Sequence, residues 1–139
     1  MNNLKKINII GGGLAGCEAA YQISKFGIKV HLYEMRPKVQ TEAHKTNFLA
    51  ELVCSNSFRS DDKEYNAVGV LHEELRIADS LIMKIADLNK VPAGSALAVD
   101  REGFAKNVHN EITKNENITI INEGIQSLDR FNDELVIVA

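Results

Sequence analysis

At 139 residues, 45% hydrophobic and 25% charged, the chain is long enough for one domain with its own core and too apolar for a disordered segment. Its 16 basic residues against 19 acidic ones give a net charge of -3, which excludes a global positive field drawing the chain onto DNA, RNA or an anionic membrane. Two cysteines are too few for a disulfide framework, no apolar run approaches the roughly 20 residues of a membrane span, and the start MNNLKKINIIGGG lacks a signal-peptide core, so a cytoplasmic chain with free thiols is expected.

In chain order, KKINII predicts a strand, GGGLAG a tight turn, CEAAYQISKF a helix ended by Gly27, and GIKVHLY a second strand with Ile28, Val30 and Leu32 alternating. That is one β-α-β unit with parallel neighbouring strands, and His31 faces the opposite side from Val30 and Leu32. Residues 35–47 predict an extended loop around Pro37. Val68, Leu71, Leu75, Ala78, Ile82 and Ile85 recur at helical steps and predict one amphipathic helix over 68–88, with His72 on its surface. ALAV predicts a short strand, and Asp100 the N-cap of a helix over 101–114 that carries His109 on its surface. Three short apolar runs, NITII, GIQSLDRF and ELVIVA, complete the chain. The last reads as a buried strand with too few partners, which predicts the front part of a longer protein.

Gly11, Gly13 and Gly16 fit G-x-G-x-x-G between a strand and a helix. The first permits the tight turn, the second lets a diphosphate approach the backbone, and the third lets the helix pack closely. Gly11, Gly12, Gly13, Leu14, Ala15 and Gly16 therefore form the expected cradle, with the helix N-terminus facing the phosphates. Glu34, at the end of the second strand, is where a ribose would lie; its carboxylate accepts hydroxyl protons and repels a 2′-phosphate, which selects FAD or NAD over NADP. Arg36 either reaches the adenosine part of that nucleotide or is a solvated loop residue, and His44 has the same two readings. Cys17 reads as a small packing residue, and neither cysteine has a partner at zinc-site spacing, so no metal is expected.

GGGLAGCEAAYQISKFGIKVHLYEMRP, AELVCSNSFRSD, NAVGVLHEELRIADSLIM and VPAGSALAVDREGF together resemble the bacterial folate- and FAD-dependent tRNA (uracil-5-)-methyltransferases over nearly the whole chain. The resemblance implies an α/β chain whose residues 1–139 are the amino-terminal part of a Rossmann-like FAD-binding domain of the glutathione-reductase type, an incomplete parallel sheet with short antiparallel strands at the end. It also implies FAD as cofactor, methylenetetrahydrofolate as one-carbon donor, NAD(P)H as reductant of the flavin, and C5 of a tRNA uridine as acceptor. A paralogue acting on ribosomal RNA, a non-catalytic nucleotide-binding fragment, and an ordinary FAD or NAD oxidoreductase are the alternatives. The same resemblance places Cys54 among the family's catalytic cysteines, beside the flavin as nucleophile or acid/base, with Arg59 favouring a thiolate and Ser55, Asn56 and Ser57 as hydrogen-bond donors. The competing reading is a buried, inert Cys54.

Overall fold

Strands β1 (Lys6–Ile10) and β2 (Lys29–Glu34) pair in parallel, with helix α1 (Leu14–Ser24) as the crossover between them. The computed structural model describes residues 6–139, so Lys5 of the expected first strand and the basic start of the chain lie outside the described residues. Ile7 and Ile9 of β1, Val30 and Leu32 of β2, and Cys17 and Ala20 of α1 are buried in the same apolar core, which is the inward face that the alternation predicts. Gly27 ends α1 as expected: its φ of 71° is in the left-handed region, and its N–H donates to the Ser24 carbonyl at 3.0 Å.

The runs NITII and ELVIVA supply β6 (Ile118–Asn122) and β7 (Val136–Val138), and the parallel sheet has the order β6-β2-β1-β7. The antiparallel strands lie in mid-chain instead of at the end: β3 (Ser57–Ser60), β4 (Lys90–Val91) and β5 (Ala96–Val99) form a separate sheet in the order β3-β5-β4. Connection length decides the difference. A tight turn through Gly94, at φ 63°, joins β4 to β5, whereas helix α4 (Arg101–Lys114) carries the chain over to β6 and so makes a parallel neighbour of β2. The third run, GIQSLDRF, is no strand. Ser127 accepts the Asp129 N–H at 3.1 Å and opens a 3-10 turn over Asp129–Phe131, whose buried Phe131 packs edge-on against Tyr33 at 5.4 Å between ring centres.

The single helix expected over 68–88 is two helices, α2 (Ala67–Ile77) and α3 (Leu81–Leu88). Asp79 breaks the path at φ 57°, and Ser80 restarts it by accepting the Met83 N–H at 3.2 Å. On α3 the apolar face points inward, with Leu81, Ile82, Met83, Ile85 and Ala86 buried. On α2 it does not: Leu71 and Leu75 are exposed, and Gly69 and His72 are the buried positions. The cause is local. A Cβ on Gly69 would run into the backbone of Asp62, and His72 Nδ1 sits 3.0 Å from Asp61, a carboxylate also held by Arg76 and Lys90, so the polar side of α2 is drawn onto β3. His72 is therefore buried and not on the surface. Helix α4 has the expected bounds; Asp100 occupies its N-cap without a side-chain cap, its carbonyl accepting the Phe104 N–H at 2.9 Å. Among the described residues no helix is long and apolar enough to cross a membrane.

Candidate nucleotide-binding site

β1 and β2 end side by side at Ile10 and Glu34, and the chain leaves β1 through Gly11, Gly12 and Gly13 into α1. Gly11 takes a φ of 110°, and its N–H donates to the Tyr33 carbonyl at 2.9 Å, so the turn is fastened to the neighbouring strand. Three of the four glycines in this turn are required by the protein itself. A Cβ on Gly11 would meet the Ala139 carbonyl oxygen, one on Gly16 the Gly11 carbonyl, and one on Gly12 Glu34 Oε2 at 2.5 Å and Leu49 Cδ2 at 2.6 Å. Gly13 differs. Its φ of -76° suits any residue, and a Cβ there meets no atom within 4 Å. It is also the N-cap of α1 and offers no side-chain cap, so the amides of the first turn, over Leu14, Ala15 and Gly16, are left to an external acceptor. No contact within the chain requires a glycine at 13.

Glu34 is buried at the end of β2 and holds the turn from the other side. Oε2 accepts the Gly12 N–H at 3.0 Å, and Oε1 accepts the Arg36 backbone N–H at 3.0 Å and Arg36 Nε at 2.8 Å. A carboxylate offers about four acceptor positions, so one remains on Oε2. Burial pushes the Glu34 pKa up, but the hydrogen bonds from Arg36, its charge and the Gly12 amide together outweigh it and hold the group below the ordinary value of 4.5. Arg36 is only 3% exposed, which overturns the solvated-loop reading; its Nη1 lies 3.2 Å from Glu51. The row Gly12, Glu34, Arg36, Glu51 is thus one buried chain of charges and donors.

A cavity of about 290 Å3 opens over this row. Ile10, Gly11, Gly12 and Gly13 form one wall, Glu34, Arg36, His44 and Glu51 a second, and Glu123, Gly124, Ile125 and Gln126 a third. Its size is near the lower end of small-molecule sites, and it lies where open α/β sheets bind ligands, beyond the carboxyl ends of the strands. Of the expected residues, Gly11, Gly12, Gly13, Glu34, Arg36 and His44 line it, while Leu14, Ala15 and Gly16 stand just behind in the first turn of α1. His44 is anchored by Thr41, whose Oγ1 lies 2.7 Å from His44 Nδ1.

Sequence reasoning missed Glu51, His109 and the 123–126 wall. Glu51 accepts the Lys45 N–H at 2.9 Å and the Thr46 N–H at 3.2 Å, and so ties the loop after β2 to Arg36. Next to it, the Ala50 N–H donates to the Gly12 carbonyl at 2.9 Å and the Leu49 N–H to His109 Nδ1 at 3.4 Å. His109, expected on the surface of α4, is thus turned onto this loop, with Phe48 at 5.5 Å between ring centres. The partnerships of Ala50 with Gly12 and of Leu49 with His109 join distant segments, and no local spacing announces them.

Cys54 lies in the coil after Glu51, exposed and outside the residues that line the cavity. Among the described residues nothing buries it. Ser55 and Ser57 spend their hydroxyls on the Ser57 and Arg59 backbone N–H groups, and Asn56 Nδ2 donates to the Val99 carbonyl, so these side chains shape the loop. Cys17 is the inert thiol: burial, then the Glu34 charge, push its pKa up to about 12, and its Sγ rests 3.4 Å from the Gly12 carbonyl. Among the described residues no three His, Cys, Asp or Glu side chains gather as a metal ion would require.

A family model described as glucose inhibited division protein A matches residues 6–139. The methylenetetrahydrofolate–tRNA-(uracil-5-)-methyltransferase TrmFO of Bartonella henselae is 66% identical over 122 residues, which are 88% of this chain and 26% of that protein. Proteins of the same name from Rhizobium meliloti and Brucella ovis are 60% identical over 133 and 126 residues, covering 96% and 91% of this chain and 28% and 27% of theirs. The chain thus spans about a quarter of the length of the curated relatives it matches.

Proposed function

The chain belongs to the glucose inhibited division protein A family, and on that premise we propose that it is the amino-terminal part of the FAD-binding domain of a cytoplasmic folate-dependent RNA (uracil-5-)-methyltransferase. The substrates proposed with it are methylenetetrahydrofolate and a tRNA uridine, as the names of the relatives at 60 to 66% identity suggest, with NAD(P)H as the proposed reductant of the flavin. The observation that carries the reading is Gly13: an uncapped helix start whose glycine serves no need of the protein, opening on a cavity with a buried carboxylate across it.

The residues present fit FAD. The first-turn amides from Leu14 to Gly16 hold the diphosphate, with no Cβ at Gly13 to keep it away. Glu34 takes a ribose hydroxyl on its remaining Oε2 position; being ionised and already braced by Arg36, it repels a 2′-phosphate without moving. When bound, FAD supplies the electrons that reduce the transferred one-carbon unit to a methyl group. Cys54 is the thiol available to the uridine: it is free and exposed, and a thiolate adding to uracil C6 makes C5 nucleophilic, with the same sulfur leaving after C5 loses its proton.

Gly13→Ala tests the site. Because the added methyl meets no protein atom, the unfolding free energy is expected to stay within about 0.5 kcal/mol of the parent. FAD affinity, followed by quenching of flavin fluorescence, is expected to fall at least about tenfold. Unchanged affinity would remove the diphosphate from this turn.

A further inference from the structure

We propose that His109 is a positioning residue for the glycine-turn site: its unprotonated Nδ1 holds the Leu49 amide and thereby braces the turn, so that protonating His109 loosens the nucleotide.

The geometry runs through a chain of contacts from α4 to the glycine turn. Leu49 donates its N–H to His109 Nδ1 at 3.4 Å, which only a ring with a bare Nδ1 and its proton on Nε2 can accept. The next residue, Ala50, donates to the Gly12 carbonyl at 2.9 Å, and the Leu49 side chain is buried against Gly12, leaving no room for a Cβ there. Glu51 follows and pairs with Arg36, which pairs with Glu34, which returns to the Gly12 N–H. Three consecutive residues therefore brace Gly12 from both of its backbone polar groups, and His109 is the point at which α4 holds them. Ala50 itself sits at φ 52°, an uncommon conformation for a residue with a Cβ, so the segment needs such contacts to keep its path.

The surroundings oppose a charge on the ring. Burial lowers the His109 pKa below its ordinary 6.5, and Arg36, facing it from the loop after β2, lowers it further. Arg36 is itself paired with Glu34 and Glu51, and the Phe48 ring on the other side carries no charge. On α4, Lys106 and Glu102 share the side of the helix that His109 occupies. Because the folded value is depressed, the contact is present at pH 6.5 and above and is lost as the pH falls through the folded value.

The consequence for ligand binding rests on the FAD reading, so the experiment has one arm that needs no ligand. In the 139-residue chain, nuclear magnetic resonance follows the His109 ring and the Leu49 amide through an acid titration. The His109 midpoint is expected below 6.5, with the protection of the Leu49 amide, relative to its intrinsic exchange at each pH, falling through that same midpoint. In the second arm, FAD affinity is measured from about pH 7.5 to about pH 5 for the parent chain, His109→Asn and His109→Phe. Asparagine places an oxygen where Nδ1 stood and does not titrate, so it should keep the parent's neutral-pH affinity and flatten the profile. Phenylalanine keeps the ring without the acceptor and should weaken FAD about fivefold at neutral pH, the worth of one hydrogen bond. A Leu49 amide indifferent to His109 titration overturns the proposal, as does a His109→Asn profile matching the parent's. If no variant binds FAD but Leu49 follows His109, the brace stands and the nucleotide reading fails.

Discussion

The start of α1 and the start of α3 are alike in kind and opposite in what fills them. At α3, Ser80 accepts the Met83 N–H, and Glu18, reaching over from α1, accepts the Leu81 and Ile82 N–H groups at 3.1 and 2.9 Å and the Ser80 hydroxyl at 2.7 Å. At α1, a glycine stands where Ser80 stands at α3, no side chain caps the helix, and a cavity opens in front of it. Both helix ends carry the same partial positive charge and amides with no partner inside the helix. The protein supplies its own carboxylate to one and no side-chain acceptor to the other. On the reading proposed above, the anion site of this fold is marked by a cap withheld, more than by any residue added.

Three experiments bear on that contrast. The largest effect is expected from Glu18→Ala, which strips two amides and a hydroxyl of their acceptor and should destabilise the chain by about 2 kcal/mol in urea unfolding. If α3 tolerates the loss, its start is no more capped than that of α1, and the comparison fails. Acid should follow. Glu34 titrates lower in the fold than its ordinary 4.5, so its contribution is complete above pH 4.5 and disappears as the pH falls through the folded value. Asp61, held below its ordinary 3.8 against burial by Arg76, His72 and Lys90, adds to the same loss at lower pH. Stability curves of the parent and Glu34→Gln should converge on acidification, and parallel curves would show that Glu34 does not hold the turn. The smallest effect is expected from Gly13→Ser, which gives α1 the kind of cap α3 has. It should raise stability by a few tenths of a kcal/mol in thermal unfolding, while costing the site its opening.

Sequence pattern carried furthest where the backbone alone sets the outcome. The left-handed turns at Gly11 and Gly27, the crossover through α1 and the acid at the end of β2 all follow from chain geometry that only certain residues permit. It carried less far along α2. Periodicity tells which residues share a face but not which face meets the protein, and there a salt-bridged Asp61 and the small Gly69 decide in favour of the polar side. Asp79 and Ser80 are the stop and the restart between α2 and α3, but the continuous apolar step across them masks both in the sequence. For the site, the glycines and Glu34 were legible because they share one β-α-β unit, whereas Glu51 and residues 123–126 reach the cavity, and His109 the Leu49 amide behind it, only through tertiary contacts.

Strand β7 has a bearing on when the site comes into being. Asn8 of β1 donates its N–H to the Leu135 carbonyl at 3.0 Å, 127 residues away, and the Ala139 N–H closes on the Ile10 carbonyl at 2.9 Å, beside the first glycine of the turn. β1 must therefore wait beside β2 for the distant β7 before its own second flank is paired. Contacts of such long range form slowly, because the loop they close must first be gathered in. The glycine turn that follows β1 is thus among the last parts of this chain to reach its final shape.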